Sequence, residues 1–346
     1  MENINSEPIS EVLKFYPIQV LSIKNNSYKG KKGVWFIKSS SGLKVLKKIS
    51  NSEATLKFIL SAVNYLVSNG INIPQVNKTI NGDEYVKYNG VCFVLSDAVD
   101  GITPDYNNSK ELAAIVEGLA NFHRASIGFK VLEGTKPKDH LGTWIEEYNY
   151  QLEDMNKFYK EELIKPQSNE IGKLVKSDFP YFYERGQRAI EGLKMGEYAA
   201  WVNKIKNTGG LCHQDFASGN LIMTSSKFYI LDTDSLTLEI PARDIRKILN
   251  KILKKHGRWD IALVTRILKY YQSKNPLTKE EWQVVKYDLM FPHLFLGAMN
   301  KFYYQRDKEW SIESYTKKIK DMYSFEKTID PLLNNFNMII EEVVHN

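Results

Sequence analysis

Two rhythms of apolar and polar positions run along the 346 residues of the chain. Over the first hundred residues the apolar runs are short, rich in β-branched and aromatic side chains, and separated by turn-forming clusters. Residues 19–23, 34–37 and 43–49 read as the strands of an antiparallel meander. Before them, within residues 4–20, Ile4, Ile9, Val12, Leu13, Phe15 and Tyr16 recur at spacings of three and four, which predicts a short helix stopped by Pro17. After them, Leu56, Ile59, Leu60, Val63, Leu66 and Val67 mark one face of a helix capped by Asn51 or Ser52, running to about Ser68 and closed by Gly70. Residues 74–76, 85–88 and 91–95 add further strand material. From Ser109 the rhythm lengthens. Leu112, Ile115, Val116, Leu119, Phe122 and His123 share a helical face. Residues 141–203 form an aromatic-rich helical insertion that Gly172 and Pro180 are expected to punctuate. Beyond it the pattern predicts helices over about 242–256, 259–273 and 278–297 and two more past residue 310, with breaks at Pro276 and Pro292.

Composition leaves this picture of a globular protein in place. Apolar residues make up 43% and charged residues 25% of the chain, ordinary for a soluble domain, and no apolar run approaches a membrane span. The polar, acid-bearing N-terminal stretch lacks the basic start and apolar core of a secretory signal, so synthesis in the cytoplasm is expected. Cys92 and Cys212 form neither a metal spacing nor a disulfide framework. Cys212 reads as a small packed residue, and His123 as a core histidine. Net charge changes the picture more. The formal excess is +6, and residues 1–95 carry all of it, with 12 lysines against 6 acids; the remainder holds 35 of each sign. A basic N-terminal quarter suits a lobe that covers phosphates, and solvated lysines on a small sheet would give the same count. The chain has no Arg-rich run and no basic-aromatic ribbon, which argues against nucleic acid as a partner.

The candidate chemistry lies in residues 211–235. Asp215 follows His213 by two positions, Asn220 follows Asp215 by five, and Asp232 follows Asn220 by twelve, at the end of the apolar run 228–231. Phosphoryl transfer asks for a carboxylate to orient the acceptor hydroxyl and for oxygen ligands to hold metal ions on the nucleotide phosphates. This set supplies both, and its Asp-to-Asn spacing equals that of the protein-kinase catalytic loop. Such chemistry also needs a lysine on the third strand. Leu43, Val45 and Lys47 share one face of that strand, which nominates Lys47; Lys48, on the other face, is the alternative.

His213-Gln214-Asp215-Phe216-Ala217-Ser218-Gly219-Asn220, with Ile230-Leu231-Asp232 after it, resembles the aminoglycoside phosphotransferase and choline kinase superfamily. Together with the segment 231–235 and the helix phrase 119–126, it looks most like the spore-coat CotS group of endospore-forming bacteria. The resemblance implies an α+β, bilobal, protein-kinase-like fold. Residues 1–95 would form a small β-rich, nucleotide-covering lobe with one helix. Residues 96–101 would be a hinge whose Ser96, Asp97 and Ala98 contact adenine. Residues 102–346 would form a helical lobe with the catalytic loop 211–235 and the insertion 141–203. It further implies an alcohol-group phosphotransferase using ATP and Mg2+. Asp215 would be the catalytic base and His213 its supporting group. Asn220 and Asp232 would be metal ligands, Lys47 the phosphate-binding lysine, Asp234 an auxiliary acid and Asp244 a buttress of the loop. The acceptor would be an unidentified small molecule, the location the spore coat, and other coat proteins partners.

Two features depart from the kinase pattern. The third-strand lysine normally pairs with a glutamate well inside the next helix, yet this helix offers only Glu53 in its first turn and the uncharged Asn64 further in. The phosphate loop has Gly30 and Gly33 around Lys31 and Lys32 and no glycine-rich signature. These departures keep a second reading open, a kinase-fold structural protein of the coat with little or no turnover. A protein kinase fits less well, because nothing after Asp232 resembles an activation segment. Residues 139–165 hold seven acids and three lysines; an acidic, aromatic surface there would suit a cationic or hydroxylated ligand, and a solvated acidic face is the commoner outcome.

Overall fold

The computed structural model describes residues 7–29, 32–306 and 310–345; Ile4, Gly30 and Lys31 lie outside them. In chain order the elements begin with α1 (Ile9–Leu13), β1 (Val20–Lys29), β2 (Lys32–Ser39), β3 (Gly42–Ile49), α2 (Glu53–Ser68), β4 (Val86–Tyr88) and β5 (Val91–Asp97). Helices α3 (Ser109–Ser126), α4 (Trp144–Ile164), α5 (Glu170–Leu193) and α6 (Glu197–Thr208) follow. Then come β6 (Leu211–Cys212), β7 (Leu221–Met223), β8 (Phe228–Ile230) and β9 (Thr237–Leu238). The chain closes with α7 (Ala242–His256), α8 (Ile261–Gln272), α9 (Lys279–Met290), α10 (His293–Tyr303), α11 (Ile312–Lys327) and α12 (Asp330–Val344). These elements fall into two compact units. The first takes Met1–Asn108, Phe129–Lys138 and Ser218–Leu236; the second takes the rest. Residues 129–138 and the β7–β8 hairpin, expected within one helical lobe over 102–346, therefore group with the sheet. Among the described residues no helix is long and apolar enough to cross a membrane.

The first unit is built on an antiparallel sheet in the order β1-β2-β3-β5-β4. Strict alternation gives the sheet two different faces. Trp35, Ile37, Leu46, Phe93 and Leu95 point one way and pack against Ile9, Val12, Leu13 and Tyr16 in and just after α1. Ile49 and Cys92 point the other way and pack against Leu56 and Leu60 of α2. Ser52 caps α2, its side chain accepting the Thr55 N–H. Residues 74–76 form no strand; Val76 makes a single bridge to Ser96, with Asn77 N–H donating to Leu95 O and Asp97 N–H to Gln75 O.

The second unit packs helices around aromatic side chains. Trp144, Tyr148, Phe158, Phe182, Trp282, Phe291, Phe295 and Phe336 are all fully buried. The two expected breaks in the insertion are absent. Pro180 sits inside the continuous α5, flanked by stacking that offsets part of the cost of its lost hydrogen bond, Phe179 on Tyr159 at 4.0 Å and Phe182 on Phe295 at 4.2 Å. Gly172 lies in the first turn of α5, where a Cβ would overlap the Glu162 carboxylate. The expected helix over 278–297 is two, α9 and α10, divided at Pro292.

Candidate active site

The sheet and the β7–β8 hairpin bring three of the nominated residues together within the first unit. On β3, Val45, Lys47 and Ile49 face the same cavity, while Leu46 faces the opposite core. Lys47 Nζ lies 2.9 Å from Asp232 Oδ1 and 3.7 Å from Asp234 Oδ1. Desolvation works against its charge, yet Asp234 and Asp232 together outweigh that and raise its pKa above the usual lysine value. Lys48, on the opposite side of the strand, pairs with Glu7.

The hairpin supplies the two nominated metal ligands. Leu221 pairs with Ile230 and Met223 with Phe228, so Asn220 and the residues after Ile230 share one end of the ribbon. Leu231 N–H donates to Asn220 O at 2.8 Å and closes that end. Asp232 follows in the left-handed region, φ 54° and ψ 55°, a conformation aspartate tolerates better than most residues. Its side chain is 46% exposed. An amide oxygen and a carboxylate are hard donors suited to Mg2+. Asp234 is held in turn through its carbonyl, which accepts from Lys138 Nζ at 2.6 Å and Asn51 Nδ2 at 3.4 Å.

Behind Lys47 lies a cavity of about 310 Å³. Its walls are apolar, with Val45, Ile49, Leu56, Leu60, Val94 and Ile222 among them, and Lys47, Asp232 and Asp234 are its charged edge together with Asp97. Residues 96–99 line one side. Within that segment the backbone donors are unequally placed. Ser96 pairs with Val45 in the ladder, Asp97 N–H donates to Gln75 O and Ala98 N–H to Leu43 O. Among the described residues Val99 N–H meets no protein acceptor. The Asp97 carboxylate accepts from Lys44 Nζ at 2.6 Å and Asn77 Nδ2 at 2.7 Å. Burial alone would push its pKa up, but these two donors hold it below the usual range.

The second unit carries Asp215, and one stripe of α7 organises the loop around it. Asp244, fully buried, accepts the His213 N–H at 2.6 Å on Oδ2 and the Gln214 N–H at 2.9 Å on Oδ1. Lys247 Nζ donates to Gln214 O at 2.8 Å and to Gln214 Oε1 at 2.7 Å. Lys251 Nζ lies 2.6 Å from Asp215 Oδ1. Spacings of three and four along a helix place these residues on one face. The clamp holds Gln214 at φ 70°, a left-handed conformation that costs about 1–3 kcal/mol when unsupported. His213 is completely buried; its Nδ1 accepts the Asp215 N–H at 3.3 Å, and its ring meets Phe122 and Phe216 edge-on. Asp215 itself is 53% exposed.

Other candidates resolve into supporting roles. Glu53 is turned to Tyr85 and Lys87, 2.7 and 2.6 Å away, and Asn64 to Glu84, so Lys47 takes its carboxylate partners from residues 232 and 234 instead. Asp244 fills the expected buttress position. His123, Cys212 and Asp244 bring three donor atoms within 4.8 Å of one another, but those atoms are spent. His123 bonds Tyr271 and Asp244, Asp244 holds the loop, and Cys212 Sγ faces Ile240 O at 3.1 Å. This cluster is a hydrogen-bonded brace. Cys92 and Cys212 are both buried and free.

Comparison with known proteins gives the family and the fold. The family model described as spore coat putative kinase YutH matches residues 18–336. The chain belongs to this family. It is 27% identical over 335 residues to spore coat protein S of Bacillus subtilis (strain 168), covering 97% of this chain and 95% of that protein. Among solved structures, an aminoglycoside phosphotransferase from Alicyclobacillus acidocaldarius superposes with a TM-score of 0.80 at 16% identity, covering 97% of this chain and 96% of the other. A spectinomycin phosphotransferase in complex with ADP and spectinomycin gives 0.63 at 15% identity over 94% and 97%. An amicoumacin kinase in complex with AMP-PNP and Ca2+ gives 0.60 at 15% identity over 92% of each chain. The fold is that of the aminoglycoside phosphotransferases.

Several site residues escaped the sequence reading. Lys138 and Val99 carry no local signal. Lys247 and Lys251 do carry one, since with Asp244 they repeat at three and four on one face of a helix next to the nominated loop, a pattern readable only once Asp244 is set against that loop.

Proposed function

We propose that this protein is an ATP- and Mg2+-dependent phosphotransferase of the spore coat, acting on a hydroxyl group of a small molecule. The observation that carries this reading is the ion pair of Lys47 with Asp232 at the charged edge of an apolar cavity large enough for a nucleobase. Lys47 holds the α- and β-phosphates. Asn220 and Asp232 hold Mg2+, which neutralises phosphate charge when bound. Adenine takes the apolar cavity, with Val99 N–H as donor and the Asp97 carbonyl as acceptor. This assignment shifts the adenine-contacting donor one residue beyond Ala98, because the N–H groups of Asp97 and Ala98 are already occupied. Asp215 accepts the proton of the acceptor hydroxyl, and His213 positions it by accepting its N–H. The description of the family and the name of the relative, spore coat protein S, support the location.

Hydrolysis of ATP by Asp215→Asn beside wild type tests the chemistry. A general base contributes about 10²- to 10⁴-fold, so a loss of that size is expected, and equal rates would remove Asp215 from the reaction. A second reading, a coat component of kinase fold with little turnover, draws on the commitment of Glu53 to Tyr85 and Lys87, which leaves Lys47 without the helix carboxylate that kinases use. Magnesium-dependent ATP binding without measurable transfer to any acceptor would favour it.

A further inference from the structure

Residues 129–138 group with the sheet, and the last of them brings a charge to Asp234. Lys136 N–H donates to Ala54 O at 3.0 Å and ties the segment to the first turn of α2. Two residues on, Lys138 Nζ donates to Asp234 O at 2.6 Å. The carboxylate of the same residue lies 3.7 Å from Lys47 Nζ, so Asp234 joins two ammonium groups. Lys47 lines the apolar cavity and Lys138 does not, which places Lys138 past the charged edge, farther from the apolar walls. Alternation adds a third lysine. Lys32, Val34 and Phe36 share one face of β2. Phe36 lines the cavity and Val34 pairs with Lys47, so Lys32 lies on that face, about 7 Å along the strand from the level of Lys47.

Lys138 is half-buried and has charge to spare. An ammonium carries three donors. Among the described residues this one has a single acceptor, the Asp234 carbonyl, and no carboxylate within ion-pair distance. Burial lowers its pKa by more than the Asp234 charge restores, and repulsion from Lys32 adds to the shift. A polyphosphate would supply the missing counter-charge. The polyphosphate in turn needs donors: protein kinases cover it with a glycine-rich loop, and this chain offers only Gly30 and Gly33 there. We propose that Lys138 binds the terminal phosphate of the nucleotide and so makes the site prefer a triphosphate to a diphosphate. The assignment rests on the cavity being the nucleotide site described above, with Lys47 on the α- and β-phosphates.

Calorimetric titration of the full chain with Mg-ATP and with Mg-ADP tests it in wild type, Lys138→Gln and Lys206→Met, the last removing an exposed charge of the other unit. Glutamine keeps a donor for the Asp234 carbonyl and loses the charge. A hydrogen bond to a charged group is worth about tenfold or more in affinity, so Lys138→Gln should bind ATP at least tenfold more weakly than wild type while its ADP affinity changes less than threefold. Unchanged ATP affinity, equal losses for ATP and ADP, or the same loss in Lys206→Met would overturn the proposal. Acylation of lysines in wild type, read by peptide mass spectrometry, needs no variant. Mg-ATP should shield Lys138 and Mg-ADP should not; shielding by both or by neither would also overturn it. Failure of wild type to bind Mg-ATP would overturn the nucleotide reading first, and this assignment with it.

Discussion

Asp244 shows how one buried carboxylate can set the posture of a loop. Burial pushes its pKa up, but His123, His213 and Lys247 outweigh that and bring it down to about 2. A folded value below the unfolded one, about 3.9, stabilises the protein at neutral pH. The contribution is complete above the unfolded value and disappears as pH falls through about 2. At about 1.4 kcal/mol per unit it amounts to about 2–3 kcal/mol. Asp244→Asn should therefore be less stable than wild type at pH 7, and the gap should close between pH 4 and pH 2. Denaturant melts across that range measure it, and parallel curves for the two proteins would refute the assignment. Residue-level legibility in the sequence followed distance. That Lys47 and Lys48 face opposite sides of the strand was readable, because alternation separates neighbouring side chains. The partners of Lys47 were not, since the choice between a helix glutamate and residues 232 and 234 is made by side chains far apart in the chain.

Among the elements, the β7–β8 hairpin places Asn220 and Asp232 at one end of a ribbon, and its other end is tied to the segment after β5. Ile102 N–H donates to Met223 O at 2.9 Å and Met223 N–H to Ile102 O at 2.8 Å. Gly101 permits that approach, because a Cβ there would stand 2.5 Å from Met223 O and 2.6 Å from Ile222 Cγ2. Gly101→Ala should cost about 1–3 kcal/mol, the usual price of overpacking, read as a lower denaturant midpoint at unchanged slope; a stability equal to wild type would show that the hairpin is not held there. Most elements were legible, since long helices and alternating strands carry strong periodicity. Pro180 and Gly172 misled because their meaning is tertiary. The proline is flanked by aromatic stacking that offsets part of its cost, and the glycine marks a close approach to Glu162.

At the scale of the whole molecule, the sheet-bearing unit holds the apolar cavity, Lys47 and the hairpin end, while the helical unit holds Asp215 and its α7 stripe. One of the chain's passages between them falls between Ala217 and Ser218, inside the motif that first pointed to phosphoryl transfer. The positive excess of residues 1–95 belongs to the sheet-bearing unit, where it would attract the proposed nucleotide, a polyanion. A ligand that binds only the folded state raises stability in proportion to the logarithm of its concentration over Kd, so nucleotide occupancy would show in both affinity and melting temperature. Calorimetric titration of ATP into wild type, Lys47→Met and Asp232→Asn, each with and without Mg2+, tests the central claim most directly. Wild type should bind only with Mg2+ present, and each variant should bind at least tenfold more weakly, about 1.4 kcal/mol or more. No binding to wild type at millimolar ATP, or the same affinity in all three proteins, would contradict it.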